Sequence, residues 1–326
     1  MPARISGVGK YLPQRVLSNA DLEKLVDTND QWIVERTGIR ERRIAADNES
    51  SGTMGAEAAR MALRTAGLQG DDLDLVVCAT CTPDGMFPGS SAVIQDAIGA
   101  TKAGAFDVSA ACTGFLSAFT VGAQFIDSGA CNRVLVVGSE VYSRILNWSD
   151  RSTCILFGDG AGAVVLERGE EGAGGFVLKS DGAAAHLLYA RGPASAPAAM
   201  MESEGYYVKM ECREVFKYAV RAMEDTTRES LARVGLGVDD ITWVVPPQAN
   251  QRILSAYARA LGLPEERVVS NLASYGNTSS ATIPIAMCEA WEDGRLKPGD
   301  NVVLTAIGGG LTWGACTVRW TGLGSE

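Results

Sequence analysis

The sequence predicts an α/β protein built from two duplicated halves. Short Val-rich runs that are apolar on both faces, such as residues 133–138, indicate strands buried between helix layers. Landmarks of strands and helices recur in the same order in the second part of the chain. A long internal repeat of this kind implies two α/β units related by a pseudo-twofold axis. We therefore expect one half at residues 1–171 and the other at residues 172–326.

The strands of the two halves are predicted from matching apolar runs. A strand pattern at residues 73–77 has its counterpart at residues 241–245. Each is followed by a predicted helix, an extended run, a turn of small residues and a second helix. Buried strands at residues 133–138 and 301–306 come next. The alternation of buried strands and helices is typical of a sheet covered by helices.

The repeat also pairs two polar side chains. The second predicted helix ends at Gly129 in the first half and at Gly294 in the other, 165 positions later. The same offset pairs Cys112 with Asn277. If equivalent loops of the two halves converge, these side chains face one pocket.

Cys112 is the candidate nucleophile. It ends a run of small residues, and a helical pattern of apolar residues follows it. At a helix N-terminus, the helix dipole and unpaired N–H groups favour the thiolate, which is the form that attacks thioesters. A free cysteine is also commonly a small buried core residue. This segment alone leaves both roles open.

Composition excludes several classes of function. The chain has 326 residues, of which 46% are hydrophobic and 21% are charged, as in ordinary globular proteins. No apolar run approaches the roughly 20 residues that span a bilayer, so no membrane association is expected. The N-terminus has no basic region followed by an apolar core, and the eight cysteines lie in mostly apolar contexts. Both observations predict a cytoplasmic protein with reduced thiols. The net charge of −10 argues against nucleic acid as a partner.

No metal site is predicted. The chain has one histidine, His186, and no carboxylates or cysteines cluster near it in the sequence. Cys78 and Cys81 have the spacing of a redox motif, but they follow directly on an apolar strand pattern. We interpret that spacing as a coincidence.

Several motifs in a fixed order resemble one known family. They are residues 29–39, the run that ends at Cys112, and residues 156–162, 214–217, 275–277 and 308–313. With them the chain resembles the thiolase superfamily, and within it the ketoacyl synthase III enzymes that start fatty-acid synthesis. The resemblance covers nearly the whole chain. It implies a thiolase-like fold, with mixed sheets between helix layers.

The resemblance implies a catalytic role for three residues. Cys112 would take an acyl group from a coenzyme A thioester and form an acyl-enzyme. Backbone N–H groups of Cys112 and Gly309 would hold the oxyanion of that step. Asn277 would donate a hydrogen bond to the thioester oxygen of a malonyl group during decarboxylation. No bound cofactor is implied, because the coenzyme A thioester is a substrate.

The resemblance also implies a coenzyme A site. Trp32 and Arg151 correspond to residues that sandwich the adenine, and an indole and a guanidinium are suitable stacking surfaces. Arg36 and Thr28 would contact the nucleotide. The other implied substrate contacts are Phe216, Ala249 and Asn250. Taken alone, Trp32 is also typical of the packed face of an amphipathic helix.

Two partners are implied in the same way. Phe87 corresponds to an aromatic residue at the dimer interface that reaches the partner's acyl pocket, so a homodimer is expected. Four basic residues would receive an acidic acyl carrier protein: Arg213, Lys217, Arg252 and Arg259. A solvated helix surface explains these four residues equally well.

The chain departs from the family pattern at two positions. A Pro-His-Gln-Ala-Asn run is expected, whereas this chain has Pro247 at the position of the histidine. Proline has no side-chain donor, and loss of one donor aimed at an oxyanion typically lowers a rate by about 10²–10³. His186 lies outside both catalytic turns and does not replace it. Cys212 stands where the family usually has glycine, and its side chain would narrow the pantetheine tunnel or the acyl pocket.

Three functions remain open at this point. The first is an acyltransferase that loads Cys112 and passes the acyl group on without efficient decarboxylation. The second is a condensing enzyme in which Asn277, water and Gln248 share the missing role. The third is a non-catalytic subunit that binds acyl thioesters, alone or beside an intact paralogue. An introduced substitution would equally account for Pro247. The acyl chain, the acceptor and the pathway are not predicted.

Overall fold

A computed structural model describes residues 1–192 and 206–324 of the chain. Its strands are β1 (Ala3–Tyr11), β2 (Arg15–Ser18), β3 (Glu41–Ile44), β4 (Leu75–Ala79), β5 (Gly104–Val108), β6 (Arg133–Glu140), β7 (Gly160–Arg168), β8 (Ala173–Ser180), β9 (Leu188–Tyr189), β10 (Lys209–Met210), β11 (Trp243–Val245), β12 (Asn301–Gly308) and β13 (Thr312–Arg319). Its α-helices are α1 (Asn19–Leu22), α2 (Asp30–Thr37), α3 (Ser51–Ala66), α4 (Ser90–Ala97), α5 (Gly114–Asp127), α6 (Cys212–Arg233), α7 (Gln251–Leu261), α8 (Leu272–Tyr275) and α9 (Thr282–Glu292). Among these ranges, no helix is long and apolar enough to cross a bilayer.

Two mixed sheets form the centre of the molecule. The first has the strand order β1-β7-β6-β4-β5, and the second has the order β8-β13-β12-β11. In the first sheet, β4 is parallel to both β5 and β6, whereas β7 is antiparallel to β6 and β1. In the second, β11 is parallel to β12, and β13 is antiparallel to β12 and β8. A parallel bridge between Val244 and Val268 takes the place that β5 has in the first sheet. The expected boundary at residues 171 and 172 falls between β7 and β8.

Helices α5 and α9 lie between the two sheets. Phe115 and Phe119 of α5 share one buried cluster with Met287 of α9, Val136 of β6 and Leu304 of β12. Residues alternate between the two faces of a strand, so side chains also point away from the space between the two sheets. Other helices cover these outer faces. On one side, Leu63 of α3 packs near Val137, and on the other, Tyr257 of α7 packs near Val303. The predicted α/β fold, with mixed sheets between helix layers, is confirmed.

The predicted pairing of Cys112 with Asn277 is wrong by three residues. Helix α5 follows a 3-10 turn at Ala111–Thr113, and α9 follows an equivalent turn at Ser279–Ala281. Both turns begin with a non-glycine residue in the left-handed region, at φ 47° in Ala111 and φ 53° in Ser279. The counterpart of Cys112 is therefore Ser280. The offset of 165 holds only at the ends of the helices, because α5 has 14 residues and α9 has 11.

Close backbone contacts join each sheet to the turn of the other half. A Cβ atom at Gly308, the last residue of β12, would lie 2.6 Å from the backbone nitrogen of Cys112. A Cβ atom at Gly138 in β6 would lie 2.3 Å from the carbonyl oxygen of Ser280. Side-chain carbons are not accommodated at such distances, so glycine permits both approaches. The two turns thus meet at the centre of the molecule.

Candidate active site

Cys112 lies in the 3-10 turn that leads into α5. The turn is crowded, because a Cβ atom at Gly114 would lie 3.3 Å from the Cβ of Ala79. The side chain of Thr113 ties the turn to β13, through a 2.6 Å hydrogen bond between its hydroxyl and that of Thr312. Cys112 is 6% exposed. The small residues that precede it in the sequence therefore allow the chain to bring this thiol to the junction of the two halves.

Asn277 reaches the thiol from the other half. Its backbone nitrogen donates to the carbonyl of Leu156 at 2.8 Å, and its carbonyl accepts from the nitrogen of Gly158 at 3.0 Å. Its side-chain oxygen accepts from the backbone nitrogen of Ser279 at 2.8 Å. The side chains of Asn277 and Ser279 lie close enough to the sulfur of Cys112 to lower its pKa. Cys112 and Asn277 therefore come together as expected, although they are not equivalent positions of the repeat.

The thiol opens onto a cavity of about 760 Å³. Gly309 and Cys81 lie on its wall beside Cys112, and so do the aromatic rings of Tyr142 and Phe157. These two rings are stacked, with centroids 4.7 Å apart and an angle of 20° between their planes. The cavity has the mostly apolar wall and the few convergent polar groups that are typical of a small-molecule site.

Gly309 lies against the turn that carries Cys112. A Cβ atom at Gly309 would lie 3.5 Å from the Cβ of Ala111 and 2.7 Å from the carbonyl oxygen of Leu188. Its own carbonyl accepts a 3.1 Å hydrogen bond from the hydroxyl of Thr312. Gly309 therefore occupies a place where only a glycine backbone fits, next to the candidate nucleophile.

The expected stabilisation of the Cys112 thiolate is not seen. The pKa of Cys112 is raised to about 11, mainly by burial and also by the charge of Glu140. Hydrogen bonds from Ser279, from Asn277 and from the backbone N–H of Cys112 lower the pKa, but they do not offset the loss of water. Cys112 lies before a helix as predicted, but burial outweighs the effect of that position on the pKa of the thiol.

Sequence patterns did not identify three polar residues that surround this thiol. The hydroxyl of Ser279 donates to that of Tyr142 at 3.1 Å, and the hydroxyl of the next residue, Ser280, donates to the carboxylate of Glu140 at 2.8 Å. Glu140 is 0% exposed at the end of β6. Its only sequence signal is a carboxylate that directly follows an apolar strand, in the run Gly138-Ser-Glu. Tyr142 has no comparable signal.

Pro247 is buried between β11 and α7, next to an amide that holds its loop. The Gln248 side chain is 1% exposed. Its nitrogen donates to the carbonyls of Pro246 and Val269 at 3.2 and 2.9 Å. Its oxygen accepts from Ser270 and from the backbone nitrogens of the next two residues at 3.0, 3.1 and 3.2 Å. Gln248 thus uses its polar atoms to tie its loop to residues 269–272 and has none free for a catalytic role.

A second cavity, of about 510 Å³, collects most residues of the expected coenzyme A site. It is lined by Trp32, Arg36, Phe216, Ala249 and Asn250. Three of the basic residues assigned to carrier binding, Arg213, Lys217 and Arg252, lie on the same wall. So does Cys212, which therefore narrows this cavity and not the one beside Cys112.

Two cationic side chains lie on the indole of Trp32. The guanidinium carbon of Arg36 is 4.6 Å from the ring centroid, and that of Arg151 is 5.1 Å away. A base stacked between Trp32 and Arg151 needs about 7 Å, or two van der Waals layers of about 3.5 Å. Arg151 also donates to the carbonyl of Asp27 at 2.9 Å. An adenine ring therefore displaces Arg151 from the indole if it binds as the resemblance implies.

The other predicted substrate contacts differ in their surroundings. Asn250 caps the N-terminus of α7, where its oxygen accepts from the nitrogen of Arg252 at 2.8 Å, and its nitrogen donates to the carbonyl of Arg36 at 2.9 Å. It thereby fixes the end of α2 in the cavity wall. Thr28 lies just before α2, and its hydroxyl is buried with no hydrogen-bond partner among the described residues. This hydroxyl is free to take a ligand atom if the loop opens.

The remaining candidates lie on the surface. Phe87 is 86% exposed in the loop between β4 and α4. Arg259 is exposed on α7, near Phe216 and Arg252. His186 is exposed in a 3-10 helix and contacts the carbonyl of Ala183 at 3.0 Å. The histidine is therefore outside the cavity that contains Cys112.

Two family models match the chain. The model of 3-oxoacyl-[acyl-carrier-protein] synthase III matches residues 106–182, which include Cys112. The model of the C-terminal part of the same enzymes matches residues 231–320, which include Asn277.

Relatives and solved structures agree with these models. The beta-ketoacyl-[acyl-carrier-protein] synthase III of Allorhizobium ampelinum is 48% identical over 324 residues, which cover 97% of this chain and 98% of the relative. A crystal structure of 3-oxoacyl-[acyl-carrier-protein] synthase III from Aquifex aeolicus has a TM-score of 0.92 and 46% identity, and covers 98% of this chain and 100% of its own. The priming beta-ketosynthase of the R1128 polyketide pathway has a TM-score of 0.93 and 37% identity, with 98% and 96% covered.

Proposed function

This chain belongs to the beta-ketoacyl-[acyl-carrier-protein] synthase III family, and within that family we propose that it loads an acyl group from acyl-coenzyme A onto Cys112 and passes it to an acceptor, with decarboxylative condensation impaired. The observation that carries the proposal is the proximity of Asn277 to the thiol of Cys112, which opens onto a cavity, together with a proline at position 247. Cys112 serves acyl transfer, whereas the proline leaves Asn277 as one donor instead of two in the later decarboxylation step.

In the loading step, the sulfur of Cys112 attacks the thioester carbonyl of the acyl-coenzyme A. The bond from the carbonyl carbon to the coenzyme sulfur breaks, and the thiol proton of Cys112 leaves with the coenzyme as its new thiol. Backbone N–H groups of Cys112 and Gly309 stabilise the negative oxygen of the intermediate. The close approach of Gly309 to the Cys112 turn supports this assignment.

The coenzyme would bind in the second cavity. Trp32 supplies a stacking surface, and the cations of Arg36 and Arg151 next to it suit a nucleotide with phosphate groups. A carrier protein bearing the same pantetheine arm would approach over the exposed basic residues of α6 and α7. The family name points to such a carrier, and a homodimer in the cytoplasm remains the expected setting.

Condensation is impaired in this proposal because the enolate formed from a malonyl thioester has one donor instead of two. Asn277 supplies the first donor. Pro247 has no side-chain donor, and the amide nitrogen of Gln248 is already bonded to the carbonyls of Pro246 and Val269. Loss of one such donor typically lowers the rate by about 10²–10³.

A second candidate is a working condensing enzyme that uses Asn277 without the histidine. The position of the Asn277 side chain next to the Cys112 sulfur favours it, since the amide is already at the reacting centre. A non-catalytic binder of acyl thioesters is the third candidate. It keeps both cavities and predicts no covalent adduct.

Intact-mass measurement separates the three. The protein is incubated with acetyl-coenzyme A and longer acyl-coenzymes, with Cys112→Ala as the control. We expect one added acyl group, absent in the control, and slow release of carbon dioxide once malonyl-carrier protein is added. Rapid release would establish the condensing enzyme instead. No adduct with any acyl chain would leave the non-catalytic binder.

A further inference from the structure

We propose that Glu289 on helix α9 is a positioning residue that holds the amide of Asn277 in place for decarboxylation. The inference rests on the proposed function, in which Asn277 donates to the enolate formed from a malonyl thioester. It follows from the contacts of the short helix α8, which ends two residues before Asn277. The carboxylate of Glu289 binds both ends of that helix.

Helix α8 has four residues and depends on outside contacts for its position. Asn271, the residue before the helix, donates from its side-chain nitrogen to Oε2 of Glu289 at 2.9 Å. Tyr275, the last residue of the helix, donates from its hydroxyl to Oε1 of Glu289 at 2.7 Å. Burial and this contact raise the pKa of Tyr275 to about 12, so the hydroxyl keeps the proton that it donates. One carboxylate therefore holds the two ends of α8 against α9.

Glu289 is itself held by a cation from the first half of the chain. The ammonium of Lys10 on β1 lies 3.1 Å from Oε1 of Glu289 and 2.7 Å from Oε2 of Glu292. The side chain of Glu289 is 15% exposed, so water screens this pair only in part. A carboxylate has two acceptor oxygens and no donor, which matches the three donors that surround Glu289.

The place where α8 ends determines the position of Asn277. Only Gly276 separates Tyr275 from Asn277, and its φ of 64° with a ψ of −153° is a conformation that glycine adopts and other residues avoid. A Cβ atom there would lie 2.8 Å from the carbonyl oxygen of Leu156. The side-chain oxygen of Asn277 accepts from the backbone nitrogen of Ser279 at 2.8 Å, which fixes the orientation of the amide. A displacement of Tyr275 therefore moves that amide.

The same helix is bonded to the loop that contains Pro247. The side-chain oxygen of Gln248 accepts from the backbone nitrogens of Asn271 and Leu272 at 3.1 and 3.2 Å, at the start of α8. Helix α8 thus connects position 247, where the family has its histidine, to Asn277. By holding α8, Glu289 fixes the spacing between these two positions.

Tyr275→Phe is the decisive variant. It removes one hydroxyl and keeps the ring, so α8 loses its bond to Glu289 at the end next to Asn277. We expect carbon dioxide release from malonyl-carrier protein to fall about three- to tenfold, the equivalent of one net hydrogen bond. Loading of Cys112 from acyl-coenzyme A should keep its wild-type rate, because Asn277 is not assigned to that step. Both rates are measured in the wild type and in the Pro247→His background, where release is expected to be faster.

Two substitutions of Glu289 separate its hydrogen bonds from its charge. In Glu289→Gln the amide oxygen still accepts from Tyr275 and Lys10, and Asn271 can turn its own amide to accept from the new nitrogen. We therefore expect Glu289→Gln to retain most of the release. Glu289→Ala removes all three contacts and should lower the release at least as much as Tyr275→Phe. An equal loss in both Glu289 variants would overturn the role of the hydrogen bonds.

Tyr257→Phe is the matched control, since it also removes a hydroxyl from a ring. That hydroxyl is bonded to Thr227 at 2.7 Å, in the buried contact between α6 and α7. We expect the ratio of release to loading to equal that of the wild type, even where thermal unfolding shows a loss of stability. A Tyr257→Phe ratio lowered as strongly as that of Tyr275→Phe would show a merely structural effect and overturn the proposal.

Loading and release together distinguish this inference from the proposed function. Normal loading with an unchanged ratio in Tyr275→Phe would overturn the role of Glu289 alone. No acyl group on Cys112 of the wild type would overturn the proposed function, and this inference with it. If the wild type releases too little carbon dioxide to measure, the ratio in the Pro247→His background decides.

Discussion

Burial raises the pKa of the Cys112 thiol, whereas polar contacts lower it. With a pKa of about 11, only about one molecule in 10⁴ carries a thiolate at pH 7. The thiolate is the nucleophile, so the rate of loading depends on how the proton is removed. Asn277 and Ser279 act on this sulfur from the other half of the chain. The reactivity of one residue is therefore set by contacts between the two halves.

Pro247→His should restore the missing donor at the residue scale. The imidazole N–H would join Asn277 in stabilising the enolate, so we expect condensation to rise by about 10²–10³. Carbon dioxide release from malonyl-carrier protein by the acyl-enzyme measures it. The double variant Cys112→Ala with Pro247→His serves as the control and should show no acyl-dependent release. An unchanged rate in the single variant would mean that the proline does not limit condensation.

The sequence predicts Cys112 and Asn277 as a pair, but not the side chains that connect them. Ser279 lies two positions after a residue already selected, and Glu140 follows an ordinary buried strand. Both approach the thiol only when β6 and the turn before α9 pack together. Burial of the thiol is likewise a property of the packed molecule, so the local helix position predicted the wrong direction for its pKa.

At the scale of elements, the end of β12 determines where the Cys112 turn lies. Gly308→Ala places a Cβ atom 2.6 Å from the Cys112 nitrogen and 3.1 Å from that of Thr113, and both are backbone atoms. We expect a loss of about 1–3 kcal/mol in the free energy of unfolding, as for other overpacked sites. Urea unfolding measures this loss, and the alkylation rate of Cys112 reports the displacement of the turn.

Gly182→Ala is the matched control for that substitution. Its added Cβ atom meets nothing within 4 Å. We expect its free energy of unfolding to stay within about 0.5 kcal/mol of the wild type. If Gly308→Ala is equally stable and equally reactive, the close approach of the strand to the turn is not what positions Cys112.

The repeat in the sequence predicted the elements of both halves, and its register failed where the helices differ in length. A single offset was measured at the glycines that end α5 and α9. The three residues missing from α9 shift the turn before it, so the offset there is 168. Apolar patterns locate strands and helices well because burial dictates them. Helix length depends on packing between the sheets, which no local pattern records.

Across the whole molecule, the turns before α5 and α9 share one backbone conformation but position different side chains. The first turn presents a thiol to the cavity, whereas its counterpart directs the Ser280 hydroxyl to Glu140 and to the carbonyl of Ala79 at 2.8 and 2.9 Å. Because α5 and α9 lie between the sheets, each half supplies part of the surroundings of the other turn. The site therefore exists only in the assembled pair of halves.

A substitution at Phe87 tests the expected homodimer. An apolar ring that is 86% exposed, next to Met86 at 72%, is costly to leave in water and suits burial against a second subunit. We expect Phe87→Asp to weaken a wild-type dimer at least about tenfold, or about 1.4 kcal/mol, because a carboxylate at an apolar interface loses its water. Sedimentation over a range of concentrations measures it. Leu25→Asp, at a side chain 54% exposed elsewhere, is the control and should leave the dimer unchanged. A wild-type protein that stays monomeric, or a Phe87→Asp dimer of full strength, would contradict the expected interface.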